Sequence, residues 1–143
     1  MKLQKLVYYA HGWNLAISNV PLINECVEAW EYGPVIPSIY HAFKRFGSGD
    51  ITEKATRPEM IDFNTLRFLT PTVEDQDTIE FLKAVWDGYG DLSAIQLSNL
   101  THQPGTPWST IYAQNQGRKG VDIPDALIRE YFVAQSTATA SHA

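Results

Sequence analysis

The sequence predicts a mainly α protein: a single compact helical domain with a small β element near residues 25–35. Three observations predict it. Leu3, Leu6, Val7, Ala10, Trp13 and Ile17 recur at the three-and-four spacing of an amphipathic helix. Gly33-Pro34 forces a turn between an extended run and an aromatic-faced helix. The second half carries further capped helical stretches, with neither an internal repeat nor a boundary that would divide the core.

The first helix is expected from about Lys2 to Ser18. Its opposite side carries Gln4, Tyr8, His11 and Leu15, also at helical spacing. A helix apolar or aromatic on both sides is sandwiched in the domain or presents a partner face, and the sandwich carries more weight. Glu25 to Trp30 reads as a strand because Val27, Trp30 and the following Tyr32 favour extended backbone. Beyond the turn, Pro37 suits a first helical turn, and Ile39, Tyr40, Phe43 and Phe46 continue at helical spacing. Gly47-Ser48-Gly49-Asp50 breaks that helix, and residues 51–70 show no sustained period, so short irregular structure is expected there.

From Thr72 the helical pattern returns, with Thr72 as cap, Asp75 three residues on, a stripe of Ile79, Leu82, Trp86 and Tyr89, and Gly90 as its end. Ser93 caps a helix from Ala94 to about Thr101, and Thr106 with Pro107 opens the next. Asp122 and Pro124 repeat that signal before Leu127, Ile128, Tyr131 and Phe132. The domain is expected to span 1–135, with 136–143 as a small, polar, flexible tail.

A chain of 143 residues, 44% hydrophobic and 12% aromatic, is long and apolar enough for one core. It has no run approaching the roughly 18 apolar residues of a membrane span and no signal-peptide pattern, so a cytoplasmic protein is expected. A single cysteine, Cys26, excludes an internal disulfide framework and is expected to be a small buried apolar residue. The net charge of −5 argues against a nucleic-acid partner.

Chemical signatures are sparse. Histidines at 11, 41, 102 and 142 form no i,i+4 pair, so no metal is expected. No nucleophile elbow or phosphate-loop spacing occurs, and neither catalytic residues nor cofactors are assigned. Two other classes stay in view. An enzyme would have to gather Glu28, His41 and His102 around Gly33-Pro34. A repressor would use Ala94 to Tyr112 as a helix-turn-helix, although Trp108 and Ile111 in its second helix suit a core better. For His102 a neutral imidazole bonded at the turn is preferred to a ligand or base.

Three blocks together carry a resemblance. They are Leu3-Gln4-Lys5-Leu6-Val7-Tyr8-Tyr9-Ala10-His11-Gly12-Trp13; then Glu28-Ala29-Trp30 with Tyr32, Gly33, Pro34, Pro37 and Tyr40; then Leu97-Ser98, Thr101-His102 and Pro107-Trp108. In order and spacing the chain resembles the Panacea domain, a family of SocA-like antitoxins and phage-associated proteins, over about Lys2 to Tyr112. The resemblance implies a bacterial or prophage antitoxin that neutralises a cognate toxin, by direct binding or as an adaptor to the ClpXP protease. It marks scaffold residues and carries over no catalytic role.

Family members usually have a further helix before this first block, whereas Met1 stands immediately ahead of it here. Apolar surface around Tyr9, Trp13 and Ala16 is therefore expected to be exposed or covered by another copy of the chain, giving a homo-oligomer. Trp30, Tyr32 and Trp108 are expected to be mostly buried anchors. Two partner-binding faces are expected: Gln4, Tyr8 and His11 on the first helix, and His41, Lys44 and Arg45 beyond the turn, where basic groups suit an acidic partner.

Overall fold

The computed structural model describes residues 1–141, with side chains described through Ala138; His142 of the expected tail lies outside the described residues. The long helix α1 (Lys2–Ser18) runs through the middle of the molecule and packs against α3 (Gln76–Tyr89), α4 (Ala94–His102) and α6 (Asp125–Ser141). Its apolar and aromatic faces are thus both used. Tyr8, Tyr9 and Leu15 join Leu97, Trp108, Ile128 and Phe132 in one core. Gly12 allows the closest approach: a Cβ there would stand 2.2 Å from the Phe132 ring of α6.

Strands β1 (Val27–Trp30) and β2 (Gly33–Val35) form an antiparallel pair, followed directly by α2 (Pro37–Phe43) and a 3₁₀ turn at Lys44–Phe46. A third strand, β5 (Val121–Ile123), pairs antiparallel with β1, giving the order β2-β1-β5. The sequence reading has no β5, because Asp122 and Pro124 read as a helix start. Both readings hold in part: three residues of strand precede Pro124, and its carbonyl accepts the first bonds of α6, from Leu127 and Ile128.

The start of α3 differs from expectation. Asp75, not Thr72, is the N-cap, and its carboxylate accepts from the Thr78 N–H at 2.9 Å and the Thr78 hydroxyl at 2.6 Å. Ser93 and Gln96 form the reciprocal capping box of α4, and Thr106 caps α5 (Pro107–Gln114).

Residues 51–70 hold a hairpin rather than irregular chain: β3 (Arg57–Asp62) and β4 (Thr65–Leu69), turned at Asp62, whose carboxylate accepts from Asn64 N–H and the Thr65 hydroxyl. Its register puts Pro58 opposite Phe68 and Met60 opposite Leu66, and on the other face Glu59 opposite Arg67, which form an ion pair. Most of the hairpin is exposed, and Phe63 at its tip is fully so. At the other end of the chain α6 keeps helical backbone to Ser141, past the expected domain limit at residue 135. Cys26 is exposed, not buried: it precedes β1, beside the carboxylate of Asp122, which holds the thiol above its ordinary range.

Candidate functional site

The three sequence blocks converge on the β1–β2 turn. From α1, Gln4 uses its amide as a strand would: Nε2 donates to the Ile36 carbonyl at 3.1 Å, and Oε1 accepts from the Ile36 N–H at 2.9 Å. Both backbone groups at the end of β2 are thereby satisfied in the interior. One residue on, Lys5 is only 1% exposed, and its ammonium donates to the Pro34 carbonyl at 3.1 Å. Burial pushes that ammonium down to about 8, and no ion pair among the described residues includes it.

Gly33 is what lets Lys5 and α4 approach. Its φ of +114° lies where side chains strain the backbone, and a Cβ there would come within 2.7 Å of Lys5 Nζ and 2.9 Å of Thr101 Oγ1. From α4, Ser98 Oγ donates to the Tyr32 carbonyl, and His102 Nδ1 donates to the Ser98 carbonyl at 2.6 Å. The other ring nitrogen of His102 faces the Glu31 carbonyl at 3.3 Å. From α5, Trp108 Nε1 donates to the Trp30 carbonyl at 2.6 Å, and its ring lies 4.1 Å from His102 and 4.5 Å from Tyr112. The motif residues Lys5, Gly33, Pro34, Thr101, His102, Pro107 and Trp108 are one packed support for this turn.

Above the support lies a groove of about 730 Å³. Its lining includes Trp30 and Tyr32 of the turn, Tyr40, Phe43 and Lys44 of α2 and its extension, and Lys119 of the α5–β5 connection. Trp30 is half-buried and pinned in place. Its indole N–H donates to Glu28 at 2.7 Å, Tyr40 packs against it at a tilt 4.9 Å away, and the Lys119 ammonium sits over the ring at 4.5 Å. A concave surface with several aromatic rings and lysines in its lining is suited to gripping a side chain of another molecule.

The expected partner faces divide. Gln4, Tyr8 and His11 are buried, so that side of α1 offers no surface. Tyr8 lies against Tyr9 and Phe132. His11 is 0% exposed, accepts from the Leu22 N–H at Nδ1 and donates from Nε2 to Asp125 at 2.9 Å. His41, Lys44 and Arg45 are exposed; of the three only Lys44 lines the groove, and Arg45 is paired with Glu53 at 2.8 Å.

Of the three expected anchors, Trp108 is buried, Trp30 is half-buried and Tyr32 is 65% exposed. The flank at Tyr9, Trp13 and Ala16 is covered by the chain itself: Tyr89 stacks on Tyr9 at 4.4 Å, accepts the Trp13 indole N–H at 2.8 Å, and Phe132 closes on both rings. Ala16 is half-buried in the same packing.

The enzymatic gathering of Glu28, His41 and His102 is not present in their contacts. Glu28 accepts from Trp30, His102 bonds to backbone carbonyls, and His41 meets the edge of Tyr40. Among the described residues no group of three or more His, Cys, Asp or Glu is placed to hold a metal. As a DNA-reading helix α5 is poorly equipped, since Pro107–Gln114 contains no basic residue and turns Trp108 into the core. No described helix is long and apolar enough to cross a membrane.

Comparison with known proteins bears on the same residues. The family model described as "Antitoxin SocA-like, Panacea domain" matches residues 3–109. Over 141 residues the chain is 34% identical to Antitoxin SocA of Caulobacter vibrioides (strain NA1000 / CB15N), an alignment covering 96% of this chain and 73% of that protein. No solved structure matches the chain.

Proposed function

The chain belongs to the SocA-like antitoxin family with the Panacea domain, and from that premise we propose that it neutralises a partner toxin by binding it at the groove beside the β1–β2 turn. The observation that carries this reading is the exposed aromatic concavity formed by Trp30, Tyr32 and Tyr40 over a support fixed by hydrogen bonds. Anchors held on a rigid base lose little conformational freedom on binding, the usual property of interface hot spots. The polar rim that such an anchor cluster needs is supplied by Lys44 and Lys119.

Direct blocking and delivery to the ClpXP protease are two routes that begin with the same binding step. Co-expression with the toxic product of a neighbouring gene tests the reading: restored growth supports it, and persistent arrest at equal expression contradicts it. Repeating the assay without ClpX separates the routes. A toxin that persists at full level while growth recovers is being blocked, and one that is stabilised while growth stops was being delivered.

A further inference from the structure

Resting on the proposed antitoxin reading, we infer that the groove receives a segment of the partner protein that carries a bulky apolar anchor flanked by carboxylates. Charge distribution is the first argument. The chain as a whole is acidic, at −5, yet the groove is lined by Lys2, Lys5, Lys44 and Lys119 against only Glu31 and Asp50. Two of these lysines are spent on backbone: Lys2 donates to the Gly90 carbonyl and Lys5 to that of Pro34. Lys44 and Lys119 are exposed, and none of the ion pairs among the described residues includes them. A hydrogen bond to a neutral carbonyl leaves the ammonium charge in place, so four cations face two carboxylates around the concavity, a local positive excess that favours acidic partners over basic ones.

The geometry at Trp30 supplies the anchor. Tyr40 packs against its ring, and Lys119 covers it through a cation–π contact. An incoming aromatic or large aliphatic side chain gains more by packing on that indole than the exposed ammonium does, since a cation–π contact at an exposed site is weak. The exposed Lys119 ammonium so displaced remains free to pair with a charge on the incoming segment. A carboxylate next to the anchor provides it, and a second carboxylate meets Lys44. Apolar anchor and acidic flank are therefore one recognition unit.

The test is selection from a display library of short random peptides on the immobilised full chain, followed by binding of the enriched peptides to wild type and to a Lys44→Glu, Lys119→Glu double variant. Both positions are exposed, so the variant should keep the wild-type melting profile. Expected are net-acidic peptides with a central Phe, Trp, Leu or Met, bound about tenfold more weakly by the double variant and more weakly at high salt. Enriched peptides that are neutral or basic, that ignore both charge reversals, or that bind a Tyr40→Ala variant unchanged would overturn the inference. So would self-association of the wild type that the double variant abolishes, because the occupant would then be a second copy. Growth rescue by the same variants keeps the two readings apart. Basic peptides with rescue lost in the variants contradict the acidic chemistry alone. Acidic, groove-dependent peptides with no rescue by wild type contradict the antitoxin reading alone.

Discussion

The indole N–H of Trp108 donates to the carbonyl of Trp30 at 2.6 Å, tying α5 to the end of β1 at the base of the groove. Trp108 is buried, so its ring and its donor both contribute. Trp108→Phe should keep most of the packing but leave the Trp30 carbonyl short of a partner, at a cost of about 1–3 kcal/mol. Trp108→Ala should cost about 3–5 kcal/mol. Urea denaturation of the two variants checks the order; a Trp108→Phe protein as stable as wild type would show that the hydrogen bond contributes nothing.

Gly33→Ala should be among the most destabilising single-methyl additions in the chain. The backbone is strained at φ +114°, and the new Cβ meets Lys5 and Thr101, for a combined loss on the order of 3 kcal/mol. Gly88→Ala is the contrasting case: that glycine is helical and has nothing within 4 Å. It should stabilise by about 0.5–1 kcal/mol. Thermal melts of both variants suffice, and a Gly33→Ala protein as stable as wild type would refute the close packing at the turn.

Alkaline pH should reveal the buried ammonium. Lys5 titrates at about 8 in the folded chain and at 10.5 when unfolded. Between these values the unfolded chain binds more protons, so stability rises with pH, by on the order of 2–3 kcal/mol. Burial raises the phenols of Tyr8 and Tyr9. Above the ordinary phenol value of about 10, the unfolded chain therefore releases protons that the folded one keeps, and stability falls. Denaturation midpoints should climb from neutral pH and turn over near that value. In Lys5→Met the climb should vanish and the fall remain; a variant that keeps the climb would assign it to another group.

Much of this scaffold is legible in the sequence, because helices announce themselves through spacing and caps. The α1 limits, Pro37 at the start of α2, and the Ser93 and Thr106 caps all follow from local rules. The β3–β4 hairpin is a different case. Arg57-Pro58-Glu59-Met60 and Thr65-Leu66-Arg67-Phe68 do alternate with period two, but each run is short, and Pro58 argues against a strand. Strand β5 is three residues long and exists only through its pairing with β1, which no local pattern announces.

Site residues divide along the same line. Spacing places Gln4, Tyr8 and His11 on one side of α1, but only tertiary packing decides that α6 and the end of β2 cover that side. In sequence Lys119 is one of several dispersed basic residues assigned to neither partner face, because nothing local links it to Trp30; the α5–β5 connection brings it there.

Exposure also separates the aromatic residues by role. Tyr32 is 65% exposed, so Tyr32→Ala should leave stability within about 0.5 kcal/mol of wild type. Half-buried Trp30 should lose about 2–3 kcal/mol on truncation to alanine, less than a fully buried ring. Differential scanning calorimetry distinguishes the two, and a large loss at Tyr32 would mean that its ring packs inside after all.

The account turns on the groove as the surface that meets a toxin, and growth rescue by folded groove variants tests this most directly. Wild type and a Tyr32→Ala, Tyr40→Ala, Lys44→Glu variant, matched for expression and checked for folding by circular dichroism, are each co-expressed with the toxic neighbour. If toxin binds in the groove, wild type restores growth and the folded variant leaves it arrested. Full rescue by the folded variant would contradict it and move the binding surface elsewhere, with the exposed hairpin at Arg57–Leu69 the next place to look.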